Sequence, residues 1–353
     1  MPPVHSGLRT RLDAELASFL SARRTELTAI EEGLGVVADT LESFVLGGGK
    51  RLRPAFAYWA YVGSGGEDRR QLIAAIASLE LLHAGALIHD DMMDASDTRR
   101  GHPAVHRRFA AAHAAAGWSG DSEAYGHAAA LLLGDLCLVW SDEMFHGAGM
   151  PAERVAAARP YYDAMRTEVM AGQYLDVLSQ ARRDESPSQA SKVATYKSAK
   201  YTVERPLLLG GALAGADSGR LKAFSGYGVP LGEAFQLRDD VLGVYGDPSQ
   251  TGKPSGGDLR EGKRTYLVAA ALEAGDETQR TTLRGLLGDP GLTDEGVAEL
   301  QAIITDTGAL ARTEKRIAEL TADALTALGS VSLRSPAAGA LRDLATAAAQ
   351  RVT

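Results

Sequence analysis

The segment from Asp68 to Asp94 reads as a single helix of about 27 residues with no proline, against a mean helix length near 11 to 12. Its last stretch, LLHAGALIHDDMMD, is apolar on nearly every side until it meets Asp90, Asp91 and Asp94. A helix that is apolar all round must be covered all round, which makes it the centre of a bundle. At roughly 100° per residue the three carboxylates fall near 0°, 100° and 40°, on one face. Like charges gathered so closely cost free energy unless something positive sits between them. For DDxxD alone, a solvated acidic helix end is an equally good reading. Two facts favour chemistry: the acids end an apolar helix, and Arg99, Arg100 and Gly101 follow at once. Carboxylates suit Mg²⁺, which typically bridges one or two of them to substrate phosphates, and paired arginines suit phosphate oxygens. A metal-bound polyphosphate is the economical inference.

Composition removes several classes. The chain has 353 residues and a formal net charge of −8, which argues against nucleic-acid binding, a process that rests on a basic face. Cys137 is its one cysteine, so neither an intramolecular disulfide nor a CxxC metal site can form. No run reaches the roughly 18 apolar residues of a membrane span, and MPPVHSGLRTRLDAEL lacks the build of a signal peptide. The expectation is a soluble cytoplasmic protein with no stable membrane insertion.

Apolar residues from Leu8 to Leu46 recur at helical spacing, with a break at Gly33 and Gly35. GGGKRLRP follows, a turn whose amides and cations can meet an anion, though a solvated basic turn fits it as well in isolation. Ala55–Tyr61 reads as a short buried helix and His102–His113 as another, with a loop over Ala114–Gly126. Later helices carry GDL, EVMAGQYLDV and YKSAKYTVERP, where Pro206 should kink or break its helix. A second acidic group, Asp239, Asp240 and Asp247, lies in FQLRDDVLGVYGDP. The run PSQTGKPSGGDLREGK after it predicts a loop of the kind that often covers an active site. No stretch alternates apolar and polar residues, so the fold is expected to be all-α, a single domain over 1–353.

Two acidic clusters some 150 residues apart could flank one polyphosphate at the mouth of an apolar bundle, with Lys50, Arg53, Arg99, Arg100, Lys197, Lys253 and Lys263 balancing charge. Such a core suits a hydrocarbon tail. Together, GGKRLRP, LLHAGALIHDDMMD, RRG, GDL, GQYLD, YKSAKYT, FQLRDD and GKRT, in this order, resemble the all-trans isoprenyl diphosphate synthases, the polyprenyl synthetase family.

The resemblance implies a helical bundle with a central apolar cavity, acting as a homodimer on isopentenyl diphosphate and an allylic diphosphate. It implies about three Mg²⁺ ions per site, with Asp90, Asp94 and Asp239 as ligands supported by Asp91 and Asp240. Lys50, Arg53, His83 and Arg100 match positions for isopentenyl diphosphate. Arg99, Lys197 and Lys263 match those for the allylic diphosphate, with Gln173 and Gln236 lining the cavity. Without the family, His83 reads better as a core histidine. Two departures stand out: Gly243 occupies the place of the last acid in the second motif, which Asp247 could replace, and Lys200 competes with Lys197. Gly85 and Ala86, five and four residues before Asp90, are small where fifteen-carbon synthases often carry an aromatic, so the expected product is geranylgeranyl diphosphate, with farnesyl or longer products as alternatives. A class I terpene cyclase and an HD-type phosphohydrolase built on His89 and Asp90 are the rival activities.

Overall fold

Leu8, Leu12, Leu16 and Leu20 recur every fourth residue and form the buried stripe of α1 (Pro3–Ile30). A 3₁₀ turn over Glu32–Leu34 then passes the chain to α2 (Gly35–Leu46), so the break falls where Gly33 and Gly35 predict it. The protein is described as a computed structural model covering residues 3–246 and 255–349. Asp247 and Lys253, with the first part of the expected covering loop, lie outside the described residues.

After α3 (Leu52–Gly63) comes the predicted central helix, α4 (Arg70–Met93). Leu72, Ile73, Ile76, Leu79, Leu81, Leu82 and Ile88 are each at most 1% exposed. Burying each such side chain contributes about 1.5–3 kcal/mol, so α4 anchors the molecule. It packs on α1, α3 and α6 (Ser122–His146). By length and composition α4 is apolar enough to cross a bilayer, contrary to the expectation that no run would be, but 72% of its most apolar window is buried inside the protein. Its one deeply buried acid before the terminal cluster, Glu80, accepts a hydrogen bond from Arg51 Nη1 at 2.7 Å.

Between α4 and α5 (Val105–Ala116) the chain makes a two-residue antiparallel ladder in which Arg99 faces His102. Arg100 and Gly101, at φ 54° and 76°, form its turn. Two central residues at positive φ match the twist of a tight hairpin. The expected helix over His102–His113 therefore starts later, at Val105, and α6 begins at Ser122 inside the predicted loop, its first turn capped by Asp121 accepting from Glu123 N.

The chain continues through α7 (Ala152–Arg182), α8 (Pro187–Val193), a π-helical segment over Ala194–Glu204, α9 (Arg205–Ala214) and α10 (Ser218–Tyr245). Pro206 lies in the first turn of α9, where the π-helical winding gives way to an α-helix. Then come α11 (Gly257–Arg260), α12 (Tyr266–Ala274), α13 (Glu277–Leu286), α14 (Asp294–Asp306), α15 (Ala309–Gly329) and α16 (Ala337–Ala349). The main core draws on α1 to α7, the π-helical segment, α9 and α10, with α15 and α16. A second apolar cluster joins Val241 and Val244, at the end of α10, to Leu259, Leu267, Leu283 and Leu300. That cluster seats α11 and the turn after it beside the acidic end of α10.

Candidate active site

Asp90 is met from three directions. Lys197 Nζ and Gln173 Nε2 each lie 3.0 Å from its Oδ1, and Arg99 Nη2 lies 3.6 Å from its Oδ2. Burial pushes the Asp90 carboxyl upward, but the Lys197 ammonium, then Lys263 and Arg99, outweigh it and hold Asp90 below the usual carboxylate range. Asp91 is 1% exposed and accepts from Arg99 Nε at 2.8 Å and from Arg99 Nη2. The hairpin explains this geometry: it returns Arg99 onto the helix end that precedes it. Asp94 differs. Burial, then the charge of Asp90, raise its carboxyl to about 6, with Lys263 3.6 Å away as partial compensation.

Lys197 comes from the π-helical segment. Gly172 permits this: a Cβ there would lie 2.3 Å from Lys197 N, so α7 and the segment touch backbone to backbone. Lys197 Nζ also reaches Asp176 at 2.7 Å, a site residue that the GQYLD motif contained and sequence reasoning did not single out. Three carboxylates, led by Asp90 and Asp176, hold the Lys197 ammonium above its usual range despite burial. Lys200 points elsewhere, to Glu168 at 3.1 Å, where Arg205 also binds.

Asp240, on α10, is 5% exposed and accepts from Gln236 Nε2 at 2.7 Å. Burial, helped by the charges of Asp258 and Asp239, raises its carboxyl to about 8. Lys263 joins the two acidic groups, since its ammonium lies 3.6 Å from both Asp94 and Asp258 and 2.7 Å from Glu261. Neither Asp258 nor Glu261 was anticipated from the sequence.

A basic pocket adjoins this cluster. Arg51, at φ 51° and 4% exposed, ties its loop to Glu80, to Asp13 at 2.9 Å and to the Val45 carbonyl at 2.8 Å. Breaking a buried pair of this kind costs about 3–5 kcal/mol, so the GGGKR turn is held in one shape. Arg53 lies over the Tyr201 ring at 4.2 Å and donates to Thr202 Oγ1 at 3.0 Å. Tyr201 in turn approaches His83 Nδ1 at 3.4 Å. Burial, then Arg53, Arg100 and Arg99, keep the His83 imidazole well below its usual range. Arg100 runs past Gly48 and Gly49, whose added Cβ atoms would meet its side chain at 3.8 and 3.5 Å. Lys50 is exposed on the same turn.

Gly85 requires a correction. A Cβ at this position would lie 2.9 Å from the Gly134 carbonyl and 3.0 Å from Leu138, so Gly85 is where α4 and α6 approach, and the space beside it is filled. Ala86 is half-buried.

Among the described residues, no three His, Cys, Asp or Glu side chains converge on one ion. The donors still suit Mg²⁺, which needs only one or two carboxylates when phosphates complete its shell. The upward shifts at Asp94 and Asp240 mark sites where added positive charge would be stabilising.

The polyprenyl synthetase family model matches residues 35–304. The geranylfarnesyl diphosphate synthase of Aeropyrum pernix is 33% identical over 273 residues, 76% of this chain and 79% of that one. The (2E,6E)-farnesyl diphosphate synthase of Mycobacterium tuberculosis is 33% identical over 255 residues, 72% of this chain and 66% of that one. The structure of geranylgeranyl pyrophosphate synthase from Corynebacterium glutamicum, complexed with isoprenyl diphosphate and magnesium, superposes with a TM-score of 0.95 at 40% identity, covering 98% of this chain and 99% of that one.

Proposed function

From the premise that this chain belongs to the polyprenyl synthetase family and is a trans-prenyltransferase joining isopentenyl diphosphate to an allylic diphosphate, we propose that it makes geranylgeranyl diphosphate as a Mg²⁺-dependent cytoplasmic homodimer of one catalytic domain. The observation that carries the site assignment is the meeting of Asp90, Lys197, Arg99 and Gln173 at the end of the most apolar helix.

Asp90, Asp94 and Asp239 would hold about three Mg²⁺ ions, which when bound supply positive charge to the departing diphosphate. Lys197, Lys263 and Arg99 would add fixed positive charge at the same place, stabilising the leaving group as its carbon–oxygen bond breaks. The apolar helices would shield the resulting allylic cation from water until the double bond of isopentenyl diphosphate attacks it. Lys50, Arg53, His83 and Arg100 would hold the diphosphate of that second substrate. Lys253 and Asp247 keep the supporting roles suggested by the sequence. The exposed apolar residues Leu132 and Val139, seven apart on α6 and each 62% exposed, support self-association along that helix.

The product assignment rests on Ala86, the small residue one turn before Asp90. With Mg²⁺, isopentenyl diphosphate and several primers, the wild type should yield twenty-carbon product. Ala86→Phe should shorten it, because a ring there resists displacement at an overpacking cost of about 1–3 kcal/mol. Gly85→Phe should instead lower the melting temperature by wedging α4 from α6. A wild type that stops at fifteen carbons, or an Ala86→Phe enzyme with an unchanged product, would refute the assignment.

A further inference from the structure

The two acidic groups are not equivalent in sequence. One turn after Asp90 comes Asp94, but one turn after Asp239 comes Gly243. On a helix, residues four apart share a face, so the second group lacks the partner that the first possesses. The space at Gly243 is nevertheless filled. A Cβ built there would lie 2.0 Å from Asp258 Oδ2 and 2.4 Å from its Cγ, so the Asp258 carboxylate occupies the volume in which a side chain at 243 would begin.

Asp258 is delivered by a different part of the chain. It sits on α11, beyond residues 247–254, and that helix is pinned from below by fully buried Leu259, whose carbonyl accepts from Gly288 N at 2.9 Å. The Asp258 carbonyl also accepts from Lys263 N at 3.0 Å, closing the turn that brings the Lys263 ammonium back to 3.6 Å from the Asp258 carboxylate. That ammonium is equally 3.6 Å from Asp94. Asp258 therefore faces the first acidic group across one shared cation. Glu261 also contacts Lys263, at 2.7 Å, but is exposed.

We propose that Asp258 supplies, from outside α10, the carboxylate missing at Gly243, so that Asp239 and Asp258 together face the metal–diphosphate assembly opposite Asp90 and Asp94. The inference rests on the function proposed above. It also assigns Gly243 a purpose: the absence of its side chain admits the Asp258 carboxylate to the surface of α10.

The test is Mg²⁺-dependent binding of inorganic pyrophosphate to the full-length protein, followed by calorimetry across a Mg²⁺ series. Asp258→Asn, which keeps shape and removes charge, should raise the Mg²⁺ concentration for half-maximal binding by about 10- to 100-fold without lowering the melting temperature. Gly243→Asp combined with Asp258→Gly returns one carboxylate to α10 and should recover most of the lost affinity. If Asp258→Asn binds Mg²⁺ and pyrophosphate as the wild type does, the inference is overturned. A folded double variant no better than Asp258→Asn overturns it too. If the double variant does not fold, the Asp258→Asn titration decides alone. Wild-type chain elongation, measured in parallel, separates the two ideas: its absence removes the proposed function, whereas an unaffected Asp258→Asn beside an active wild type removes only this inference.

Discussion

The polar end of the bundle has two neighbouring halves with opposite charge design. In one, Asp90, Asp94, Asp239, Asp240 and Asp258 are interleaved with Arg99, Lys197 and Lys263. In the other, Arg53 and Arg100 gather around His83, and Glu80, the acid whose charge acts most on Arg100, is already bound by Arg51. A diphosphate entering the basic half meets cations directly. One entering the acidic half meets more carboxylates than cations, so its charge balances only if metal arrives with it. The difference points to one substrate that depends on Mg²⁺ for binding and one that does not.

The strongest way to break this comparison is to remove the metal or a residue that would hold it. Asp90→Asn and Asp239→Asn should each lower turnover by about 10²- to 10³-fold at saturating Mg²⁺, and chelation should abolish it. Binding of isopentenyl diphosphate, measured by calorimetry in chelator, should stay close to wild type in both variants. Loss of that binding on chelation would merge the two halves into one metal-dependent site.

An intermediate effect is expected in the basic half. Arg53→Ala removes a charged hydrogen-bond donor, which is worth about 1.5–3 kcal/mol. It should raise the KM for isopentenyl diphosphate while leaving that for the allylic primer nearly unchanged. Equal changes in both constants would show that the cations are shared.

The smallest effect sharpens the comparison through pH. His83 is held neutral in the folded protein by burial and by Arg53, Arg100 and Arg99. Its folded pKa lies below its unfolded value near 6.5, so at this site the unfolded chain binds more protons and the stability that His83 contributes falls as pH drops through 6.5 and below. His83→Gln should make the rise of melting temperature with pH less steep, or turn it into a fall, over that range in ligand-free protein. Added pyrophosphate, by neutralising the arginines, should shift the wild-type slope in the same direction. Because the raised carboxyls of Asp94 and Asp240 titrate in the same window with the opposite sign, the readout is the difference between the two curves, and a His83→Gln curve parallel to the wild type's between pH 5 and about 7 would contradict the electrostatic account.

Much of the fold was legible because α4 announces itself: length, apolarity and the acidic terminus are all local properties of the sequence. The break at Gly33 and Gly35 was local too. What escaped detection was set by neighbours distant in the chain. The Thr98–Pro103 hairpin is too short to show alternation, yet it determines where Arg99 points. Small size at Gly85 looked like open space along α4, but α6 fills it. Arg51 looked like one more cation for an anion, whereas its αL backbone and the buried Glu80 make it the anchor of its loop. Asp258 could not be paired with Gly243 because an unpatterned run separates α10 from α11. Lys197 and Lys200 are three apart and equivalent by spacing alone. Only the path of the backbone sends one to Asp90 and the other to Glu168.

That path has a consequence for how the chain tolerates change. The segment Ala194–Glu204 is wound with bonds from each residue to the fifth along, so it stores more residues per turn than the helices on either side. Deleting one residue between Lys197 and α9 would either relax the winding toward an ordinary α-helix, re-aiming the side chains within the segment, or shift the phase of everything upstream by about 100° relative to α9. Lys197 would then swing off Asp90 although no contacting residue had been altered. The position of this cation is encoded in a count of residues as much as in their identity, so this stretch should reject a change of length.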